Sequence, residues 1–422
     1  MSGVMAVSFA RQSLRASGRR AGWLSAGGWG SMVVAAVLSV ILTGCASIER
    51  LPAVPLAMGQ EIRPLDIPYA RFYYDGDPAA LRALAREVIA KSRAARGEKS
   101  DTSGARHAAT FLAISGGGDD GAFGAGLLVG WTAHGDRPEF NVVTGISTGA
   151  LSAPFAFLGP DYDHALKSVY TETAASDIFS DENPVVSIIS GDSAADTTPL
   201  KNLISKFIDQ RTIKRIAEEY EKGRLLLVAT TNLDQARSVI WNIGAIAQSP
   251  DPRARALIIE VLRASASIPG AFPPVMLDVT VDGKRYEEMH VDGGAMTQMF
   301  LYPPSLHLKK VEKTTAKRDV AYIIRNGRLF RPEQQVKRQT LAIAGQAIAT
   351  MTAANGMNDL YRIYLTTERD GVEYNLIYLD DEFAVPYEGP FNKAYMNTLF
   401  QYGYRKGVAG IDWHRQPPGY EK

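Results

Sequence analysis

Phe140-Asn-Val-Val-Thr-Gly-Ile-Ser-Thr-Gly-Ala-Leu-Ser-Ala153 is the stretch that decides the fold. Its first five residues are apolar and β-branched at the centre and predict a strand. Gly145-Ile-Ser-Thr-Gly149 then fits G-x-S-x-G, and a helix-compatible run starts at Thr148. Strand, sharp turn and helix in that order form the setting of a nucleophile elbow, which holds a serine at the tip of a sheet. Glycine is needed at 145 and 149 because so tight a turn leaves no room for side chains around Ser147. Pro154, inside the following helix, would cost about 3 kcal/mol in a regular interior and predicts a kink there.

Upstream, Phe111-Leu-Ala-Ile-Ser115 reads as another strand and residues 122–131 as another helix. Between them lies Ser115-Gly-Gly-Gly-Asp-Asp-Gly121. Gly116, Gly118 and Gly121 satisfy the dinucleotide fingerprint, but that reading needs an acid at the end of the next strand to hold a ribose. Glu139 precedes that strand, which ends on the serine elbow instead, and Asp119 and Asp120 would repel a pyrophosphate. A glycine-rich loop at a helix N-terminus offers bare N–H groups to developing negative charge. Beside an activated serine, that makes an oxyanion hole.

Further out, Leu225-Leu-Leu-Val-Ala-Thr-Thr231, residues 238–243, 321–325 and 374–378 read as strands, and 340–357 as a small-residue helix. Strands alternating with helices predict a parallel sheet. The patternless stretch 176–198 is long enough for a lid or binding loop. Residues 46–77 read as a tether and extended arm, 78–96 as a docking helix, and 98–104 as a polar boundary. A serine hydrolase needs a base. Of His107, His134, His164, His290, His307 and His414, only His307 and His414 suit the order of a Ser–Asp–His triad, and neither sits among site-like residues. Asp292, in His290-Val-Asp-Gly-Gly294, is the better candidate: an acid before two glycines at a strand end is a turn that can aim a carboxylate. Ala264-Ser-Ala-Ser-Ile-Pro-Gly-Ala-Phe-Pro-Pro274 by itself reads only as a rigid loop.

Taken in order, the motifs at 116–121, 145–149, 264–274 and 292–294 resemble those of patatin-like phospholipases, with Thr230-Thr-Asn-Leu-Asp234 and Ile324-Arg-Asn-Gly327 also similar to family segments. The resemblance spans roughly 107–415, within a domain placed at 105–415 and followed by a tail at 416–422. It implies a three-layer α/β/α sandwich with a mainly parallel central sheet. It also implies a Ser–Asp dyad in which Ser147 is the nucleophile and Asp292 the general base and acid. The N–H groups of Gly117 and Gly118 would form the oxyanion hole, supported by Gly116, Gly121, Gly145, Gly149, Gly293 and Gly294. The family loop usually carries arginine or lysine where Asp120 stands. A cation there would steady the loop or attract an anionic head group, and a carboxylate is expected to do neither. The activity implied is release of fatty acids from lipid esters. The competing readings are a lipid-binding or scaffold protein of the same fold and a Ser–Asp–His esterase.

The first 44 residues carry Arg11, Arg15, Arg19 and Arg20, no acid, and an apolar run at 32–42. A run of eleven residues fits the core of a signal peptide and falls short of the roughly 20 that a bilayer span takes. Leu42-Thr-Gly-Cys45 resembles a bacterial lipobox, and Cys45 is the only cysteine of the chain. These features predict a signal peptide over 1–44 and a lipid anchor on Cys45. Ala46 in place of aspartate favours an outer-membrane lipoprotein facing the periplasm. The whole chain holds 46 bases against 45 acids; without the leader the balance is 42 against 45. A slightly acidic body excludes counterion release as a driving force, so no nucleic-acid partner is expected. Neither a metal nor a cofactor is expected, since no ligand cluster is offered.

Overall fold

The run after Phe140 forms a strand at the centre of one large sheet in the computed structural model, which describes residues 50–98, 106–180, 196–310, 317–330 and 335–420. The strands are β1 (Arg71–Tyr73), β2 (Thr110–Ile114), β3 (Val142–Gly145), β4 (Leu225–Asn232), β5 (Arg237–Asn242), β6 (Val275–Val281), β7 (Lys284–Asp292), β8 (Asp319–Arg325) and β9 (Val372–Tyr378). Their order is β1-β5-β4-β3-β2-β8-β9, with β7 pairing β4 and β6 pairing β7. The five strands β4-β3-β2-β8-β9 run parallel. Antiparallel β5 and β1 extend one side, and the β6–β7 hairpin joins the end of β4.

The helices are α1 (Pro78–Ala95), α2 (Gly121–His134), α3 (Thr148–Leu158), α4 (Asp163–Thr171), α5 (Thr198–Phe207), α6 (Gln210–Glu221), α7 (Ile243–Gln248), α8 (Ala254–Ser265), α9 (Thr340–Asp370) and α10 (Lys393–Ala409). Successive strand residues point to opposite faces. On β2, Leu112 and Ile114 therefore join a core with Phe123, Trp131, Phe155, Ile216, Ile258 and Phe400 of the helices on one side. Phe111 and Ala113 join a second core with Leu360, Ile363 and Tyr364 of α9 on the other. Two helical layers thus sandwich a mostly parallel sheet, the α/β/α architecture that the motifs imply. Close helix contact at α2 and α10 depends on small residues: a Cβ on Gly126 or Gly130 would lie 2.0 or 2.2 Å from a carbonyl oxygen of Phe400 or Tyr404.

Several expectations change in detail. The arm at 46–77 contributes β1 as an edge strand, and Val54 and Ile62 pack on Val279, Val281 and Tyr286 of the β6–β7 hairpin. The small-residue helix runs on to Asp370, thirty-one residues in all. The helix after the elbow continues through Pro154 to Leu158. In the tail, the Tyr361 hydroxyl donates to the Pro418 carbonyl at 2.7 Å and Tyr420 stacks edge-on against Tyr364. The leader, Cys45, residues 99–104 of the polar boundary and most of the 176–198 stretch lie outside the described residues. Among the described residues no helix is long and apolar enough to cross a membrane.

Candidate active site

A parallel strand followed by a helix presents its C-terminal end as a crevice, and the candidate groups converge there. Ser147 occupies the turn between β3 and α3 with φ 56° and ψ −127°, a positive φ that a non-glycine residue adopts only when its surroundings enforce it. The enforcement is visible. A Cβ on Gly145 would lie 2.4 Å from the Gly149 carbonyl oxygen, and one on Gly149 would lie 2.3 Å from that of Ile114. The Ser147 N–H donates to Ser265 Oγ at 3.0 Å, and the Ser265 hydroxyl donates to the Ala229 carbonyl at 2.7 Å. Ser265, from the segment that read only as a rigid loop, thus ties the elbow to β4.

Asp292 ends β7, opposite Thr230 of β4, and its N–H donates to the Ser267 carbonyl at 2.9 Å. The buried Asp292 carboxylate faces the Ser147 hydroxyl and accepts from Gly294 N–H at its Oδ1 at 2.7 Å. Burial pushes the Asp292 carboxyl up to about 7, against the smaller downward pull of the Ser147 hydroxyl and Gly294 N–H. A carboxylate that basic, facing a serine hydroxyl, is equipped to take its proton. Gly293 packs below, where a Cβ would lie 2.6 Å from the Ala229 carbonyl oxygen.

The glycine-rich loop closes the third side. A Cβ on Gly116 would stand 3.2 Å from Ser147 Cβ, so the loop is in contact with the nucleophile. Gly116 N–H donates to the Gln298 carbonyl at 3.1 Å. The next two residues, Gly117 and Gly118, are open to solvent, and Gly118 takes φ 60°. No hydrogen bond from either N–H to a described residue is formed, which leaves two free donors in the loop that touches Ser147 through Gly116. Gly121 tucks under Thr148 at the start of α2.

Three further residues hold this arrangement. Asn326 donates its N–H to Ser115 Oγ at 2.8 Å and its Nδ2 to the Ser115 carbonyl at 2.9 Å, while its Oδ1 accepts from Gly124 N–H at 3.1 Å. Gln298 links the glycine-rich loop to the Asp292 turn, since its Nε2 donates to the Gly294 carbonyl at 3.2 Å. Asp359 of α9 accepts from the N–H groups of Gln298 and Met299 at 2.6 and 3.2 Å, and from Arg362 at 2.6 Å. Asn326 lies in a segment the sequence reading singled out; Gln298 and Asp359 gave no local signal. Asp120 departs from expectation. Its Oδ1 accepts from the Tyr395 hydroxyl at 2.9 Å, and the Asp119 Oδ2 accepts from Phe391 N–H at 3.0 Å, so both acids anchor the loop to the region around α10. A carboxylate does steady this loop.

The histidines stand apart from the serine. His414 bridges Leu376 and stacks on Tyr378, at the β9 edge of the sheet, and His307 lies exposed beyond Tyr302. His290 is buried two residues before Asp292 but bonds to Thr230 and Glu288. Among the described residues no group of three or more His, Cys, Asp or Glu is placed to hold a metal ion.

Residues 112–302 match the family model for patatin-like phospholipase, a span that takes in the four ordered motifs and ends before Asn326. No curated protein matches the chain. Among solved structures, the chain is similar to the crystal structure of VipD from Legionella pneumophila at 13% identity, over 74% of this chain and 69% of that one, with a TM-score of 0.34. Likeness at that level carries no argument about chemistry.

Proposed function

Residues 112–302 form a patatin-like phospholipase domain, and from that premise we propose that this lipid acyl hydrolase works through Ser147 and Asp292 without histidine. Ser147 Oγ attacks the ester carbonyl while its proton passes to Asp292. The Gly117 and Gly118 N–H groups receive the oxyanion, a contribution of about 2.7–4 kcal/mol per donor in comparable sites. As the tetrahedral adduct collapses, Asp292 returns the proton to the departing alcohol. Water then gives a proton to the same carboxylate as it attacks the acyl-serine, and on collapse Asp292 returns that proton to Ser147 Oγ and the fatty acid leaves. The observation that carries this reading is a buried carboxylate facing the Ser147 hydroxyl, with no cation beside it and its pKa pushed up to about 7 by burial. The test is mass-spectrometric profiling of fatty acids released from phospholipids and glycerides. Wild type should release them and Ser147→Ala should not; release by both would remove Ser147 from the mechanism.

The N-terminus supports an anchored enzyme: a basic lead, an eleven-residue apolar run, and the single cysteine at the end of a lipobox-like sequence. On this reading the chain is processed before Cys45, acylated there, and held in the cell envelope at the outer membrane facing the periplasm. Cys45→Ser should leave the protein unprocessed and misplaced on membrane fractionation; wild-type mobility and distribution would overturn the anchor.

A further inference from the structure

The first half of α9 reverses the usual arrangement of a surface helix. Residues 335–358 hold Lys337 and Arg338 at their start and not one acid. Where the helix faces the body it presents half-buried small or polar residues such as Ala342, Gln346, Ala349 and Ala353. Toward solvent it turns Ile343, Ile348 and Met351, exposed by 54%, 41% and 65%. A soluble surface helix places its apolar stripe inward. Val336, exposed by 39%, precedes it. Contiguous exposed apolar surface of this kind marks an interaction site.

The second half of the helix fixes where this surface lies. Gly356 packs against Arg325, the neighbour of loop-pinning Asn326, and Asp359 holds Gln298. Met351 to Asp359 is eight residues, about 12 Å of helix. The Gln298 and Ser147 side chains both come within about 3 Å of the same point above Gly116. The exposed apolar half therefore grows out of the framework of the site.

We propose that residues 335–351 are a docking surface for a phospholipid bilayer, with Ile343, Ile348 and Met351 entering the headgroup–acyl boundary and Lys337 and Arg338 meeting anionic headgroups. A helix with apolar residues on one face and cations at its edge lies in the plane of an interface. With Arg331, Lys337 and Arg338 against the single acid Glu333, the lead to the helix is net cationic and suits an anionic surface. Docking here is independent of whether Ser147 is the nucleophile, and the experiment keeps the two apart.

Full-length protein carrying Cys45→Ser and Ser147→Ala has no cysteine and no proposed nucleophile, so Ile348→Cys places an environment-sensitive fluorophore at one site. Lys214→Cys, exposed on α6 in the opposite helical layer, is the control. Vesicles of phosphatidylglycerol and phosphatidylethanolamine should shift the emission at 348 to the blue and shield it from an aqueous quencher, and leave 214 unchanged. Ile343→Glu with Met351→Glu should weaken partitioning at least about tenfold. Lys337→Gln with Arg338→Gln should weaken it about twenty-five-fold on anionic vesicles and less than about twofold on zwitterionic ones, at about fivefold per cation. A label at 348 that stays wet on vesicles overturns the proposal. So does one that becomes shielded without lipid while light scattering reports a doubled mass, which would assign the surface to a second copy.

Discussion

Two carboxylates on β7 share a face and a buried setting, yet one is tuned for chemistry and the other for structure. Glu288 and Asp292 are four residues apart on the strand and almost fully inaccessible. Burial alone would raise both. At Glu288 it is outweighed by the Arg71 charge and by bonds from His290 and Arg71, which hold the carboxyl down at about 2. At Asp292 no cation opposes burial, and the weaker pull of Gly294 N–H and the Ser147 hydroxyl leaves it near 7. His290, between them, completes the contrast. Trp241 Nε1–H donates to Thr230 Oγ1 at 2.8 Å, which leaves the Thr230 hydroxyl proton for His290 Nδ1 at 2.9 Å. The imidazole proton then sits on Nε2, toward Glu288 at 3.3 Å, and burial depresses the histidine pKa so that the neutral form is kept. A buried acid with a cation becomes a fastener; one without becomes a base.

The largest effect follows from removing the unpaired member. Asp292→Asn keeps an oxygen for Gly294 N–H but cannot accept the serine proton. It should lower kcat on acyl esters by about 10⁴-fold or more, and adding Ser147→Ala should cost little beyond that, because the two act as a unit. The same change should stabilise the fold. The folded-state pKa of Asp292 lies above its unfolded value, so the folded chain holds the extra proton between about 4 and 7. Above that window an ionised Asp292 opposes folding by an amount on the order of a few kcal/mol. Denaturation midpoints should therefore rise in Asp292→Asn at pH 8 and match wild type at pH 4. A variant that loses activity and stability together at pH 8 would place Asp292 with Glu288 as a fastener.

Breaking the paired member should act on stability first. Arg71→Met strands Glu288 in a buried setting, and loss of one partner of such a pair costs about 3–5 kcal/mol. Chemical denaturation at pH 7 should register it. The sign with pH is opposite to that of Asp292. The folded pKa of Glu288 is depressed, so its contribution is present above the unfolded value near 4.5 and is lost as pH falls toward 2. The penalty of Arg71→Met should shrink over that range.

A moderate effect separates the two acids in wild type without any mutation. Turnover requires ionised Asp292, so kcat/KM should fall about tenfold per unit below a single midpoint near 7. Glu288 should leave no inflection in the working range. A midpoint near 4 would mean that Asp292 is not held in the basic state that its burial implies.

What could be read in advance divides along the same line. The strand, elbow and glycine-rich loop are local: each is a run of neighbouring residues whose spacing states its geometry, and the parallel sheet follows from their alternation with helices. Asp292 was visible because two glycines mark its turn. The ion pair at Glu288 in the middle of β7 was not, since Arg71 arrives from a three-residue edge strand 217 positions earlier in a segment with no strand pattern. Ser265, Gln298 and Asp359 act through bonds to backbone groups of other elements, which no spacing reveals. Asp120 could be named from its place in the loop, but its role rests on Tyr395, 275 residues away.

The smallest expected effect is also a sharp test of the comparison. If imidazole belongs only to the structural half of β7, then His307→Ala and His414→Ala should leave kcat/KM within about twofold. The first lies exposed and the second is fixed against Tyr378 and Leu376 at the far edge of the sheet. His290→Gln should register as lost stability through Thr230 and Glu288, with the acidic limb of the pH–rate profile unmoved. The informative readout is that limb. A midpoint set by Asp292 should stay near 7 in all three variants and show no second inflection near ~6.5, where a free imidazole titrates. Turnover abolished in a folded His307→Ala or His414→Ala protein would make the enzyme a triad hydrolase, and the division of labour along β7 would be wrong.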